Sequence, residues 1–191
     1  MSVRVVVAED EAIIRLDLVE ILREEGYEVV ADCGRGDEVV QLVEQHAPDL
    51  VLLDIKMPGM DGLSAARAIN EHFDAAIVIL TAFSQRDLID EASDAGAMSY
   101  LVKPYQRSDL VPALELARAR RQERQALTEK VGELESRMAE RKLIDRSKGL
   151  LMDTHGMSED DAFRFLQRSA MSGRSRMSDV AHEVLSGRLA P

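Results

Sequence analysis

The chain has 191 residues, of which 46% are hydrophobic and 31% are charged, a composition that fits a folded protein and excludes a disordered one. No uncharged apolar run approaches the roughly 18 residues that a membrane span requires, and the first apolar run ends at acidic residues without a signal-peptide pattern. The single cysteine, Cys33, cannot form an intramolecular disulfide. We therefore expect a cytoplasmic protein that does not contact membranes.

Charge is distributed unevenly along the chain. Residues 1–112 contain 9 Lys and Arg against 22 Asp and Glu, whereas residues 113–191 contain 15 against 13. The stretch 164–178 has four arginines and no acidic residue. Because an acidic region repels phosphate backbones, only the second part of the chain is expected to contact nucleic acid.

Five short apolar segments in the first part predict β-strands at residues 3–8, 28–32, 49–53, 76–80 and 99–102. Amphipathic helical segments separate them. Strands that are apolar along nearly their whole length are typical of a parallel sheet covered by helices on both faces. We predict an α/β fold with a doubly wound, five-stranded parallel sheet, in which ligands bind beyond the carboxyl ends of the strands.

The residues at these carboxyl ends form a chemically coherent group. Glu9 and Asp10 follow the first predicted strand, Asp54 the third, Thr81 the fourth and Lys103 the fifth. Converging carboxylates favour a bound cation, and a set of oxygen ligands suits Mg²⁺. Asp54 would then be a nucleophile toward a phosphoryl group, whose charge Lys103 would balance and whose oxygen Thr81 would contact.

Four motifs resemble the receiver domain of two-component response regulators: V-V-A-E-D-E at 6–11, L-L-D-I-K-M-P-G-M-D-G at 52–62, L-T-A at 80–82 and K-P at 103–104. The resemblance covers residues 1 to about 112 and implies the flavodoxin-like receiver fold. It also implies that Tyr100 changes rotamer when Thr81 moves.

The same resemblance implies the chemistry of the acidic site. A sensor histidine kinase would transfer a phosphoryl group to Asp54, and Mg²⁺ would be bound by Asp10, Asp54 and the backbone carbonyl of Lys56. Glu9 stands where many members of the family have aspartate. Its longer side chain leaves two arrangements open, direct ligation of the metal and ligation through water.

The last helix of the first part is predicted to continue from about Ser108. Residues 113–145 contain no proline, only one glycine and many good helix formers. An apolar seam with the 4-3-4 spacing of a coiled coil consists of Leu127, Val131, Leu134 and Met138. Two interpretations stay open: a homodimer through this helix, and a solvated helix that packs on the chain's own C-terminal module.

Three helical patterns follow, and Ser158 with Asp161 has the spacing of a helix N-cap. The motifs E-R-K-L-I-D-R-S-K-G-L-L-M at 140–152, S-E-D-D-A-F at 158–163 and D-V-A at 179–181 resemble the ANTAR module of transcription antitermination regulators. That resemblance implies binding to RNA hairpins in nascent transcripts. The predicted parts are a receiver at 1–112, a helical linker at 113–138 and a three-helix module at 139–191.

Basic side chains of the module are the candidates for RNA contact: Arg141, Lys142, Arg146, Lys148, Arg168, Arg174 and Arg176. They would contribute affinity for the RNA backbone without reading sequence, and the alternative is an ordinary solvated face. Phe163 falls on the predicted apolar stripe and is expected in the core. Phe165 is left open as a residue that could stack on a base.

The predicted function is a response regulator, not an enzyme, in which phosphorylation of Asp54 controls RNA-hairpin binding and transcription antitermination. One alternative is a DNA-binding transcription factor, although neither helix after residue 158 has an evident polar recognition face. The other is a signalling adaptor, which would need no basic module.

Overall fold

The computed structural model describes residues 2–82 and 86–191, and for residues 86–88 it describes the backbone alone. The chain divides into two compact units, Met1–Gln125 and Ala126–Pro191. Within the described residues, no helix combines the length and the apolar character needed to cross a membrane. The predicted division into residues 1–112, 113–138 and 139–191 stays a prediction.

The first unit contains a five-stranded parallel sheet with the strand order β2-β1-β3-β4-β5. The strands are β1 (Arg4–Ala8), β2 (Glu28–Cys33), β3 (Leu50–Asp54), β4 (Ala76–Thr81) and β5 (Ser99–Val102). The helices are α1 (Ala12–Glu24), α2 (Gly36–His46), α3 (Gly62–His72), α4 (Arg86–Asp94) and α5 (Arg107–His155). The predicted α/β class and parallel sheet are confirmed, and Asp54 and Thr81 are the last residues of their strands.

Helices cover both faces of this sheet, as the apolar strands predicted. Successive residues of a strand point to opposite faces, so Val5 and Leu52 pack in one cluster with residues of α1 and α5. Val6 and Leu53 pack in a second cluster with residues of α2 and α3. Because both faces are buried, polar side chains of β3 and β4 stand at the strand ends, and Asp54 and Thr81 place them at the carboxyl edge.

The second unit consists of the C-terminal part of α5 with α6 (Glu159–Gly173) and α7 (Met177–Leu185). Its core contains Leu151, Ala162, Leu166, Ala170, Val180 and Val184. Ser158 caps α6 as predicted, since its Oγ accepts a hydrogen bond from the backbone N–H of Asp161 at 3.2 Å. The first helix of the predicted three-helix module is not separate, because α5 runs on into it without interruption.

The apolar seam of α5 is not covered by the rest of the second unit. Its side chains are 53% to 60% exposed, namely those of Leu127, Val131, Leu134 and Met138. Within the second unit the seam is thus solvated, whereas Leu151 of the same helix packs in the core, so both interpretations of the sequence stay open.

Candidate phosphorylation site and nucleic-acid interface

The carboxyl edge of the sheet holds an acidic pocket. Glu9 follows β1, Asp54 ends β3, Thr81 ends β4 and Lys103 follows β5, so the parallel strands deliver all four to one edge. A cavity of about 280 Å³ opens there. Its lining residues are Asp10, Glu11, Asp54, Ile55, Lys56, Thr81, Ala82 and Lys103.

One ammonium group lies between two buried carboxylates of this pocket. The Nζ atom of Lys103 lies 2.6 Å from Oε2 of Glu9 and 3.2 Å from Oδ2 of Asp54. Burial works against the charged form of Lys103, but the hydrogen bond to Glu9 and the charges of Asp54 and Glu9 outweigh it, so the pKa of Lys103 is raised. The lysine therefore stays protonated and positioned in the pocket.

The carboxyl groups have the donor set and the charge imbalance that suit a divalent cation. Glu9, Asp10 and Asp54 each offer an oxygen atom, and these atoms lie within 4.8 Å of one another. Burial raises the pKa of Glu9 and also that of Asp54; Lys103 opposes both shifts, and the neighbouring carboxylates add to them. Three carboxylates face one ammonium, so a hard cation would relieve the repulsion that remains. The residues fit Mg²⁺.

The loop after Asp54 is held by two adjacent residues whose role the sequence analysis missed. Asp61 caps α3, because its Oδ1 accepts a hydrogen bond from the backbone N–H of Ser64 at 2.9 Å. Gly62 donates its N–H to the carbonyl of Ile55 at 2.9 Å, and a Cβ atom at Gly62 would overlap the carbonyl of Asp54. The D-G pair that ends the second receiver motif was the available signal.

The predicted switch residues lie on neighbouring strands. Thr81 is 3% exposed, and its carbonyl accepts a hydrogen bond from the backbone N–H of Lys103 at 2.7 Å. Tyr100 is 44% exposed and pairs with Ile79, two residues before Thr81 on β4. The rotamer change of Tyr100 stays a prediction.

Tyr105 is a further pocket neighbour that the sequence analysis missed. Its hydroxyl is buried and has no hydrogen-bond partner among the described residues. Burial raises the pKa of this hydroxyl, and the negative charges of Glu9, Asp17 and Asp54 raise it further. The tyrosine therefore stays neutral beside the acidic site.

Six of the seven basic candidates for RNA contact are exposed: Arg141, Lys142, Arg146, Arg168, Arg174 and Arg176. Lys148 differs from them, because its side chain is only 15% exposed. Its Nζ lies 2.9 Å from a carboxylate oxygen of Asp145 and 2.8 Å from one of Glu159. The structure thus gives Lys148 two partners within the protein.

The candidates on α5 do not form one surface. A helix turns by about 100° per residue, so Arg141 and Lys148 lie on nearly the same side of α5. Lys142 and Arg146 project roughly 100° or more around the helix from Arg141 by the same geometry. The apolar stripe predicted that these basic residues lie outside the core. It did not predict which of them share a side of the helix.

The two phenylalanines of α6 differ in exposure, and only Phe163 contradicts its expected placement. Phe163 is 42% exposed, whereas Phe165 packs against the core of the second unit. The expectation that Phe163 is in the core was wrong, because its ring stays 42% exposed although it borders the buried face formed by Ala162, Leu166 and Ala170.

Comparison with known proteins gives two domain matches. Residues 5–115 match the response regulator receiver domain, and residues 132–185 match the ANTAR domain. The transcriptional regulatory protein PdtaR of Mycobacterium tuberculosis is 57% identical over 182 residues, which are 95% of this chain and 89% of PdtaR.

Solved structures resemble the first part of the chain. A DNA-binding response regulator of the LuxR family from Staphylococcus aureus has a TM-score of 0.58 and 28% identity, covering 61% of this chain and 98% of that one. The CheX-CheY-BeF3-Mg²⁺ complex from Borrelia burgdorferi has a TM-score of 0.56 and 25% identity, covering 59% and 86%. Together with the acidic pocket, these matches mean that the chain belongs to the response regulators that carry a receiver domain followed by an ANTAR domain.

Proposed function

We propose that a sensor histidine kinase phosphorylates Asp54 and that phosphorylation controls binding to an RNA hairpin and transcription antitermination. Residues 1–112 would act as the receiver, 113–138 as the linker and 139–191 as the RNA-binding module. The observation that carries this proposal is the position of Asp54, a 6% exposed carboxylate in a cavity that also holds Asp10 and Lys103.

The transfer is a displacement at phosphorus. An oxygen of the Asp54 carboxylate attacks a phosphohistidine, the new P–O bond forms as the P–N bond breaks, and the imidazole nitrogen leaves with the electron pair. Asp10, Asp54 and the backbone carbonyl of Lys56 would hold Mg²⁺, with Glu9 as a direct or water-mediated ligand. The bound ion would neutralise charge on the transferred group. A structure similar to this chain is named for a complex with BeF3 and Mg²⁺.

Lys103 and Thr81 would contact the phosphoryl group on Asp54. The Lys103 ammonium lies 3.2 Å from Asp54 before phosphorylation, so it is within reach of a phosphoryl oxygen. The Thr81 hydroxyl would donate to another phosphoryl oxygen, and the space it leaves would admit the Tyr100 ring. The backbone hydrogen bond from Lys103 to Thr81 couples the two residues.

Local charge supports RNA as the ligand of the second unit. Residues 126–191 contain 11 Lys and Arg and 11 Asp and Glu, so the unit as a whole does not attract a polyanion. All four arginines of the stretch 164–178 are exposed, and no acid lies among them in the sequence. Binding would therefore rely on this stretch together with the exposed basic residues of α5.

We also propose that the exposed seam of α5 pairs with a second copy of the chain. Leu127 and Leu134 are 59% and 53% exposed, and they share one side of the helix with Val131 and Met138. Such a seam buries its side chains when two helices of the same sequence pair. Because aspartyl phosphate adds negative charge, any gain in RNA affinity must come from a rearrangement or from dimer formation rather than from direct attraction.

The test compares the wild type with Asp54→Asn. Both proteins are mixed with a radiolabelled phosphohistidine donor, and binding is then measured to an RNA hairpin and to a DNA duplex of the same sequence. The exposed Asp153→Asn variant is the matched control. We expect label that alkali and hydroxylamine remove, together with tighter hairpin binding, for the wild type and the control alone. Preference for the duplex would favour a DNA-binding factor, and binding to neither would favour an adaptor.

A further inference from the structure

A groove in the second unit brings an exposed aromatic ring together with several charged side chains. It has a volume of about 390 Å³, with Arg137, Arg141, Ile144 and Lys148 of α5 among its walls and Phe163 of α6 opposite. This volume falls in the range of roughly 300–1,000 Å³ that is usual for small-ligand pockets. The groove is distinct from the acidic pocket of the receiver.

Phe163 is not part of the core of the second unit, so core packing does not account for its position. Residues 126–191 contain two aromatic rings of Phe, Tyr or Trp, and the other one, Phe165, packs on the core. Phe163 is 42% exposed and lines the same groove as Arg137 and Arg141 of α5. A ring that faces water next to arginines is the arrangement on which unpaired nucleobases stack.

The charged groups of the groove complement a nucleotide rather than a simple anion. Arg137 and Arg141 are exposed and one turn apart on α5, where they can contact phosphates on either side of a base. Glu140 and Asp145 also line the groove, and a carboxylate accepts a hydrogen bond from an exocyclic amino group. Lys148, in the wall of the groove, pairs with Asp145 of its own helix and with Glu159 of α6, and the second pair joins α5 to α6.

We propose that this groove binds one unpaired nucleobase of an RNA loop, stacked on Phe163 and flanked by phosphates at Arg137 and Arg141. The carboxylates favour adenine, cytosine or guanine over uracil, which lacks an amino group. The inference rests on the proposed RNA-binding function, and it adds a base-reading site to a set of residues that otherwise contact only the backbone.

The experiment uses the full chain, phosphorylated with a small-molecule donor, and a hairpin selected from a library with a fixed stem and a randomised loop. We expect Phe163→Leu to weaken binding by roughly 5- to 150-fold, the range reported for loss of one base stack. Phe163→Trp retains a stacking face and should retain affinity. Met171→Ala, which removes a 74% exposed apolar side chain of the same helix, is the matched control and should bind as the wild type does.

Two further measurements locate the base. The chain has no tryptophan, so the emission of Phe163→Trp reports on this site alone and should be quenched by the hairpin. Abasic substitutions are then placed along the loop one at a time. At one position the abasic substitution should weaken binding of the wild type but not weaken binding of Phe163→Leu further. Thermal unfolding of each variant separates loss of contact from loss of folding.

The outcomes for the two proposals are distinguishable. Tight hairpin binding by both the wild type and Phe163→Leu, with unquenched Phe163→Trp emission, would overturn the base site and leave RNA binding intact. Recovery of no hairpin by the wild type would overturn both. A selected loop in which uracil alone occupies the sensitive position would contradict the role given to the carboxylates.

Discussion

The ammonium of Lys103 lies 2.6 Å from the carboxylate of Glu9, a residue with no exposed surface, and the same ammonium lies 3.2 Å from Asp54. One cation is thus shared by carboxylates at the carboxyl ends of two strands. When Asp54 carries a phosphoryl group, the ammonium has a new and more negative partner. Lys103, which balances the negative charge of the unmodified pocket, is therefore positioned to respond to phosphorylation of Asp54.

Replacing Lys103 should separate phosphorylation from output. We expect Lys103→Ala to retain Mg²⁺ binding, because it removes a positive charge from among three carboxylates. It should also retain labelling of Asp54 but lose the gain in hairpin affinity. The measurements are Mg²⁺ titration, labelling by phosphohistidine and hairpin binding. Arg67→Ala, on α3, is the control, and normal switching by Lys103→Ala would refute the assignment.

The free energy of unfolding should depend on pH in a way that shows that the ionised form of Glu9 is disfavoured in the folded protein. Its pKa is raised above the ordinary value of 4.5, so the folded state binds the proton more tightly than the unfolded chain. Glu9 therefore lowers the free energy of unfolding as pH rises from below 4.5 through the folded-state pKa. Without Mg²⁺, Glu9→Gln should increase this free energy at neutral pH and flatten its fall with pH.

Urea unfolding at acidic and neutral pH, with and without Mg²⁺, measures this effect. Added Mg²⁺ should stabilise the wild type more than Glu9→Gln, because the ion compensates the carboxylate that the variant lacks. A Glu9→Gln protein that is less stable than the wild type at neutral pH without Mg²⁺ would contradict the prediction.

Gly62 should be required for the geometry of the phosphorylation site. A Cβ atom there would overlap the Asp54 carbonyl, so Gly62→Ala should cost about 1–3 kcal/mol of stability and slow labelling of Asp54. Gly132 lies in α5 with nothing near its would-be Cβ, and Gly132→Ala should instead stabilise by up to about 1 kcal/mol. Denaturant unfolding and the rate of Asp54 labelling are measured for both variants. Equal stability and equal labelling rates in Gly62→Ala and Gly132→Ala would refute the close contact between Gly62 and the Asp54 carbonyl.

Two basic residues of the second unit should differ in how they affect RNA binding. Arg174 is exposed, so Arg174→Gln should reduce the slope of log affinity against log salt by about 1 without changing stability. Lys148 is held by Asp145 and Glu159, so Lys148→Gln should lower the unfolding temperature and leave the slope unchanged. Salt titrations and thermal unfolding check both, and a reversed pattern would show that Lys148 contacts phosphate.

The α5 seam should control oligomeric state. Leu134→Lys places a charge in the apolar seam, and we expect it to abolish a dimer of the phosphorylated protein in sedimentation experiments. The control is Glu133→Lys, which introduces a lysine at an exposed position next to the seam by reversing a charge. A wild type that stays monomeric in both phosphorylation states, at all concentrations tested, would exclude the seam as a dimer contact.

The sequence by itself determined the fold of the first unit and the residues of its acidic pocket. Both depend on local patterns: buried strands are apolar along their length, and in a parallel sheet their ends must meet at one edge. Asp54, Thr81 and Lys103 were thus predictable as neighbours. Ser158 was predictable as a cap because its partner, Asp161, is three residues away.

Tertiary structure decided what depends on contacts between distant residues. The complete burial of Glu9 and its pairing with Lys103 join residues 94 positions apart, and Lys148 pairs with Glu159 across two helices. Phe163 and Phe165 are chemically identical and nearly adjacent, so only the packing of α6 on its neighbours selects which ring contacts the core. Helical periodicity locates the apolar face of a helix to within about one residue, which is a rotation of roughly 100° about the helix axis. A side chain rotated by that angle can move from the core to solvent.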